Sequence, residues 1–356
     1  MTNAHRIFSA IQPSGTLTLG NYLGTVRGWV ELQDSAPWEE RLFCVADYHA
    51  LTARREPEEL RSFTLELALD LLACGLDPAR STLFLQSQVP EHTELMWILA
   101  SVASYGELGR MTQFKEKANR HLATLGLFAY PVLMAADVLV YKAERVPVGE
   151  DQLQHLELTR EIARRFNQRF APTFPEPVPI LSRAARILSL ADPAQKMSKS
   201  LGGRHYIGVF EDDTSIRRKI RAAVTDSGGA SAGISPGVAN LLRILAETAP
   251  SAEYERLGRA REEGSLRYAD LKEAVADHLV AALGPLRERR ATLTPALARD
   301  VLERGGAHAR DIARSTLAEA RDRVGILGVA RGDPERAWKG NETPAHDGSR
   351  GDVTPT

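Results

Sequence analysis

A chain of 356 residues is too long for one comfortable hydrophobic core, so its length favours two domains. Its 43% hydrophobic and 26% charged content is that of an ordinary globular protein. A formal net charge of −1 excludes a global basic field and leaves only local patches for a nucleic-acid partner. The longest uncharged run, 122–136, is shorter than the ~20 residues of a membrane span and contains Pro131, and the opening MTNAHRIFSA has no signal-peptide layout. Cys44 and Cys74 lie in apolar segments without metal-ligand spacing, which reads as buried free thiols of a soluble, cytoplasmic protein.

Short apolar runs alternate with helical patterns through the first half. RIFSAI (6–11), RLFCVA (41–46) and STLFLQS (81–87) are strand-like, with helical stretches at about 21–34, 57–74 and 92–104 between and after them. Such alternation predicts a parallel sheet covered by helices. The pattern from 105 to 170 is mostly helical, interrupted by a strand-like RVPV (145–148) that leads through GED into a helix over 151–170. Beyond it come a basic helix over 214–226, a Gly- and Ser-rich loop at 227–237, and helices only over 238–249, 267–290, 294–305 and 307–325. The last 26 residues carry few apolar groups and are predicted to be a disordered tail.

Four stretches bear chemistry. In IQPSGTLTLGNYLG (11–24) the first strand passes through Ser14, Gly15, Thr16, Thr18, Gly20 and Asn21 into a helix. The carboxyl end of a parallel strand with a helix N-terminus beyond it suits phosphate, while the bland reading is a turn capped by Thr18 or Asn21. VGEDQLQH (148–155) has the same layout. Either its Asp151 accepts from a ribose and Gln152 reaches a second polar ligand, or Glu150 and Asp151 merely complement the helix dipole.

YPVLMAADVLVY (130–141) is apolar on every side, so its helix should be buried, yet it carries Asp137. Tyr130, Met134 and Asp137 share one face, the first and last about 10 Å apart, the reach of a tryptophan with a hydrogen bond at each end. The alternative is a core Arg or Lys paired with Asp137. DPAQKMSKSLGG (192–203) is either a solvated turn or a flexible clamp on a triphosphate, with Lys196 and Lys199 for charge, Ser198 and Ser200 as donors and Gly202-Gly203 as hinge. MTQFKEK (111–117) adds Lys115 and Lys117.

Together these motifs resemble a class I aminoacyl-tRNA synthetase, specifically the bacterial-type tryptophanyl family, from about Ile7 to Leu327. Thr18-Leu19-Gly20-Asn21 stands at the HIGH-like signature, and Lys196-Met197-Ser198-Lys199-Ser200 is the KMSKS signature unaltered. IQPSG, MTQFKEK, YPVLMAAD, VGEDQ and PGVANLL (236–242) match in order and spacing. The resemblance implies a Rossmann-type catalytic domain over 1–205 with a helical insertion at about 92–145, a helical anticodon-binding region over 206–329, and a tail over 330–356. It implies a homodimer acting on tRNA(Trp), L-tryptophan and ATP with Mg2+, with no protein-bound metal.

By the same resemblance Gln12, Pro13, Ser14, Thr18, Gly20 and Asn21 belong to the ATP side, with Lys117, Lys196 and Lys199 on the pyrophosphate. Met197, Ser198 and Ser200 complete that loop, and Gly149, Glu150 and Asp151 lie near the adenosine. Tyr130 and Gln152 match residues at the α-amino group, His49 one near the carboxylate, and Asp137 the acceptor of the indole N–H. Phe8, Ala10, Met134, Val138, Val146 and Val148 wall the amino acid. Tyrosyl relatives carry Gln where Met134 stands, and an apolar thioether suits an indole face. Ala10, Ala46, Tyr48 and the Leu201-Gly202-Gly203 exit depart from the common pattern. A tyrosyl-type specificity, and a paralogue that binds tryptophan or a protein without charging tRNA, are the alternatives. For tRNA contact, Arg310, Arg314 and Arg321 recur on one helical face.

Overall fold

The computed structural model describes residues 6–35, 40–112, 114, 124–181, 186–225 and 234–327. The strand-like runs form β1 (Arg6–Ile11), β2 (Glu40–Val45), β3 (Thr82–Leu85) and β4 (Arg145–Val148). A fifth strand, β5 (Val178–Leu181), completes a parallel sheet of order β3-β2-β1-β4-β5. Sequence reasoning missed β5 because VPIL contains Pro179 and follows Pro177. At a sheet edge, where one row of N–H groups has no strand to meet, proline is tolerated.

Between β1 and β2 lie α1 (Leu19–Asn21), a π-helical turn (Tyr22–Val26) and α2 (Arg27–Asp34). Helices α3 (Asp47–Ala50) and α4 (Pro57–Ala73) connect β2 to β3, and α4 opens on a capping box between Glu56 and Glu59 with Pro57 in its first turn. Then come α5 (Glu91–Ala100), α6 (Tyr105–Arg110) and α7 (Leu125–Leu139) before β4, and α8 (Leu153–Arg169) before β5. Five helices follow: α9 (Asp213–Ala222), α10 (Pro236–Thr248), α11 (Ser251–Glu262), α12 (Tyr268–Thr292) and α13 (Pro295–Val324). Helix α11 escaped the sequence reading because it buries a single residue, Leu257, and so shows no apolar stripe.

The two helices expected over 294–305 and 307–325 are one continuous helix. Gly305-Gly306 looks like a break, but its purpose is proximity. A Cβ on Gly305 would stand 2.0 Å from the Leu83 carbonyl oxygen, and one on Gly306 would stand 2.6 Å from Gln88 Oε1. Two adjacent glycines therefore let α13 lie against β3 and cover that edge of the sheet. The expected arginine face of this helix is also engaged within the chain. Arg310 and Arg314 meet the buried Glu91 at 3.0 and 3.3 Å, and Arg321 meets Glu94 at 2.6 Å. These arginines clamp α13 to α5 and are neither a free basic stripe nor a purely solvated face.

The core has two apolar clusters, one on each side of the sheet. One joins Leu17, Trp29 and Phe43 to Leu279 and Val301, and the other joins Phe8, Phe84 and Tyr141 to Ala309 and Leu317. Residues on both sides of position 205 thus contribute to both clusters.

A Gly305→Ala substitution is expected to cost ~2–3 kcal/mol of stability, because the obstructing atom is backbone and cannot turn aside. Gly258→Ala in α11, with nothing near its added methyl, should instead stabilise by about 1 kcal/mol. Denaturant unfolding of the two variants reads the contrast, and equal effects would refute the close-approach account.

Candidate active site

The turn after β1 is shaped by one glycine and one cap. Gly15 has φ +97°, in the region that favours glycine, and faces the Phe63 ring. The Thr18 hydroxyl accepts from the Asn21 backbone N–H at 3.2 Å and donates to Asn21 Oδ1 at 2.7 Å, so the bland capping role is real. Gln12 is exposed beside the buried Pro13, and Ser14 is half-buried.

The lysine loop is stitched onto this turn. Leu19 N–H donates to Ile207 O at 2.8 Å and Val209 N–H to Leu17 O at 2.9 Å, while Met197 N–H donates to Ile187 O at 3.1 Å. Met197 is buried against Gly20 and anchors the loop. Lys199 Nζ donates to Ser14 Oγ and to Thr16 O, both at 2.9 Å. Burial, and then the like charge of Arg55, push the Lys199 amine down to about 8, against the pull of Asp70. Arg55 lies over the Phe63 ring at 5.6 Å, and sequence reasoning did not single it out. Ser198 and Ser200 pair through their hydroxyls at 2.9 Å. The short turn Lys199–Leu201 ends at Gly202, φ +101°, a conformation that suits the hinge expected there.

Across the cleft, β4 ends at Gly149 and a 3-10 turn, Glu150–Gln152. Asp151 accepts from Gln152 Nε2 at 3.2 Å and faces Lys196 Nζ at 3.9 Å, an exposed contact that joins the two loops with little energy. Lys115 and Lys117 lie outside the described residues.

The residues expected to wall the amino acid lie on β1, β4 and α7. The pairing of Ile7 with Arg145 sets Phe8 beside Val146 and Ala10 beside Val148. Phe8, Val138 and Val146 are buried, Val148 is partly buried, and Ala10 is exposed. Tyr130 and Met134 are half-buried on the helix face that the spacing predicted. The Tyr130 hydroxyl meets His155 Nε2 at 2.7 Å, and burial pushes its pKa up to about 12. Gln152 is half-buried at the far wall.

Asp137 is 2% exposed, and its partners are not the Arg or Lys weighed from sequence. His92 Nδ1 and Gln86 Nε2 meet Oδ1 at 2.6 and 2.8 Å, while His49 Nε2 and Gln86 Nε2 meet Oδ2 at 2.7 and 2.9 Å. Burial opposes ionisation here, but the facing His92 and His49 outweigh it and hold the carboxyl well below the usual range. His92 Nε2 in turn meets the Tyr141 hydroxyl at 2.7 Å, and Gln86 Oε1 accepts from the Tyr48 backbone N–H at 3.1 Å. Sequence reasoning missed Gln86 and His92. The signal was available: Gln86 closes β3 at its carboxyl end and His92 opens the next helix.

The parallel sheet, the turn after its first strand and the lysine loop docked on it have the arrangement expected of a class I synthetase. The family model for class I tRNA synthetases (W and Y) matches residues 1–284, and the chain belongs to that family. It is 44% identical to the tryptophan–tRNA ligase of Helicobacter pylori over 331 residues, 90% of this chain and 99% of the relative. Tryptophanyl-tRNA synthetase from Mycoplasma pneumoniae superposes with a TM-score of 0.80 at 35% identity, covering 90% of this chain and 98% of the other. The Campylobacter jejuni enzyme complexed with ADP and tryptophan gives 0.77 at 31%, covering 90% and 99%.

The position of Lys199 has a measurable consequence. Its folded pKa lies below the unfolded 10.5, so the fold carries a desolvated charge below pH 8 and is relieved of it as pH rises from about 8 to 10.5. Lysine-selective NMR should show this amine titrating near 8, and Arg55→Ala should move the midpoint upward. A midpoint unmoved by that change would assign the shift to burial alone.

Proposed function

We propose that the chain is a tryptophan–tRNA ligase. It joins L-tryptophan to ATP, forming tryptophanyl-adenylate and pyrophosphate, and then transfers the tryptophanyl group to tRNA(Trp). What supports this reading is that Ser14, His49 and Gln86 follow the carboxyl ends of the parallel β1, β2 and β3, with Lys199 bound to Ser14 and Asp137 to His49 and Gln86. The likeness to tryptophan–tRNA ligases along nearly their full length supports the same conclusion.

In the first step a carboxylate oxygen of tryptophan attacks the α-phosphorus of the magnesium complex of ATP, and the bond to pyrophosphate breaks. In the second, the 2′-OH of the tRNA terminal adenosine attacks the activated carbonyl, and AMP leaves. No protein nucleophile is needed, so catalysis is positioning together with stabilisation of the charge gathering on pyrophosphate. Lys196, Lys199 and Lys117 supply that charge, with Met197 packing the loop and Ser198 and Ser200 donating. Gln12, Pro13, Ser14, Thr18, Gly20 and Asn21 line the phosphate turn. Gly149, Glu150 and Asp151 take the adenosine and ribose. Tyr130 and Gln152 hold the α-amino group and His49 lies toward the carboxylate. Asp137 accepts the indole N–H, within a wall of Phe8, Ala10, Met134, Val138, Val146 and Val148.

The enzyme works as a cytoplasmic homodimer, with the helical region 206–329 reading the anticodon arm. Trp97, Tyr105 and Leu125, each about four-fifths exposed on α5, α6 and α7, offer the apolar surface that a second copy would cover. The reduced thiols Cys44 and Cys74 accord with that compartment.

Tryptophan-dependent exchange of pyrophosphate into ATP, followed by charging of tRNA, tests the proposal directly. Exchange without charging would favour a paralogue, and exchange driven by tyrosine would favour the tyrosyl alternative. Lys199→Ala should lower the adenylation rate ~100-fold or more while tryptophan affinity stays within about threefold, because its contact tightens as charge develops. Equal losses in both would sink the transition-state role.

A further inference from the structure

An ionised carboxylate offers about four lone-pair positions. Asp137 meets three donors within 2.9 Å: His92 Nδ1 on Oδ1, His49 Nε2 on Oδ2, and Gln86 Nε2 lying between the two oxygens. With Asp137 buried and three donors around it, an entering N–H must displace whichever of them stands in its path.

The three donors differ in how firmly they are held. His92 is fully buried, tied at its second nitrogen to the Tyr141 hydroxyl and packed on the Tyr141 and Phe84 rings at 5.3 and 6.2 Å between centroids. Gln86 is fully buried, and its carbonyl oxygen holds the Tyr48 N–H, so its amide cannot turn without breaking two bonds. His49 retains 6% exposure and sits on α3, a helix of four residues. Its ring stands edge-on to Tyr130 at 6.1 Å between centroids while its Nε2 touches Asp137. The imidazole thus lies between the two ends of the helix face, where a side chain spanning Tyr130 and Asp137 would lie.

Resting on the reading of Asp137 as the indole acceptor, we infer that His49 is an exchangeable donor. It fills the indole N–H position on Asp137 Oδ2 in the empty site and withdraws when tryptophan enters. Specificity follows from the exchange. Tryptophan brings an N–H that restores the lost bond and a ring that fills the vacated room. Phenylalanine brings no donor, so it either fails to displace His49 or leaves a buried carboxylate short of a partner. His49 is in this role a specificity residue that acts before its later position near the carboxylate.

Histidine-selective 15N NMR of the wild-type protein tests this without a variant. On saturation with L-tryptophan the Nε2–H of His49 should lose its bonded, exchange-protected signal, while the Nδ1–H of His92 stays bonded. As a second measurement, indole alone, which lacks the ammonium and carboxylate, should bind His49→Ala about tenfold more tightly than wild type, because no ring competes for Oδ2. If tryptophan perturbs His92 and Gln86 but the His49 signal stays bonded, and indole binds both proteins alike, the exchange is overturned and the reading of Asp137 stands. If tryptophan leaves all three residues unmoved, the reading of Asp137 itself fails.

Discussion

A carboxylate with no access to water must be supplied with donors, and the supply of Asp137 organises this molecule. Its bonds reach α3 through His49, the end of β3 through Gln86 and the start of α5 through His92. Those elements come from two connections of the sheet, β2 to β3 and β3 to β4, and one side chain on α7 ties them together. The next residue along extends the connection. Glu91, directly before His92, turns the other way and takes Arg310 and Arg314 of α13. A single helical turn thereby joins the surroundings of Asp137 to α13. Breaking either half would leave a buried charge without its partner, the costly direction for such pairs.

The lysine loop obeys a related constraint. Lys199 is placed on Ser14 and on the Thr16 carbonyl, two groups that a phosphate oxygen would replace as partners. With Met197 buried and the following backbone at Ile207 and Val209 bonded to residues 19 and 17, the loop is a docked element that carries the Lys199 charge against the first turn. Arg55 adds a second cation beside it, and the mutual repulsion is part of what lowers the Lys199 pKa. An anion beside them would relieve that repulsion, so this turn is electrostatically biased toward negative charge.

Much of this was legible in the residues. Short apolar runs located four strands, because the inner strands of the sheet are buried on both faces, and period-3.6 patterns located most of the helices, which bury one face. What escaped had weak patterns for physical reasons. An edge strand interrupted by Pro179 loses its strand signature, and a solvent-facing helix such as α11 has no stripe to read. Gly305-Gly306 misled because glycine marks both helix ends and close backbone approach, and only three-dimensional proximity to Leu83 separates the two. In the site, the face of Tyr130, Met134 and Asp137 followed from helical spacing alone. The donors to Asp137 did not, since Gln86, His49 and His92 come from distant segments whose convergence is a property of the sheet order.

The seating of α13 on β3 also bears on how the chain is made. The strand is finished at Leu85, yet the helix that covers its edge begins at Pro295 and runs to Val324. At ribosomal rates that interval is roughly ten seconds or more, during which an apolar sheet edge emerges without its cover. The nascent chain must therefore be shielded through most of its synthesis, and any stop before the final helix releases a protein with its strand edge open to other chains.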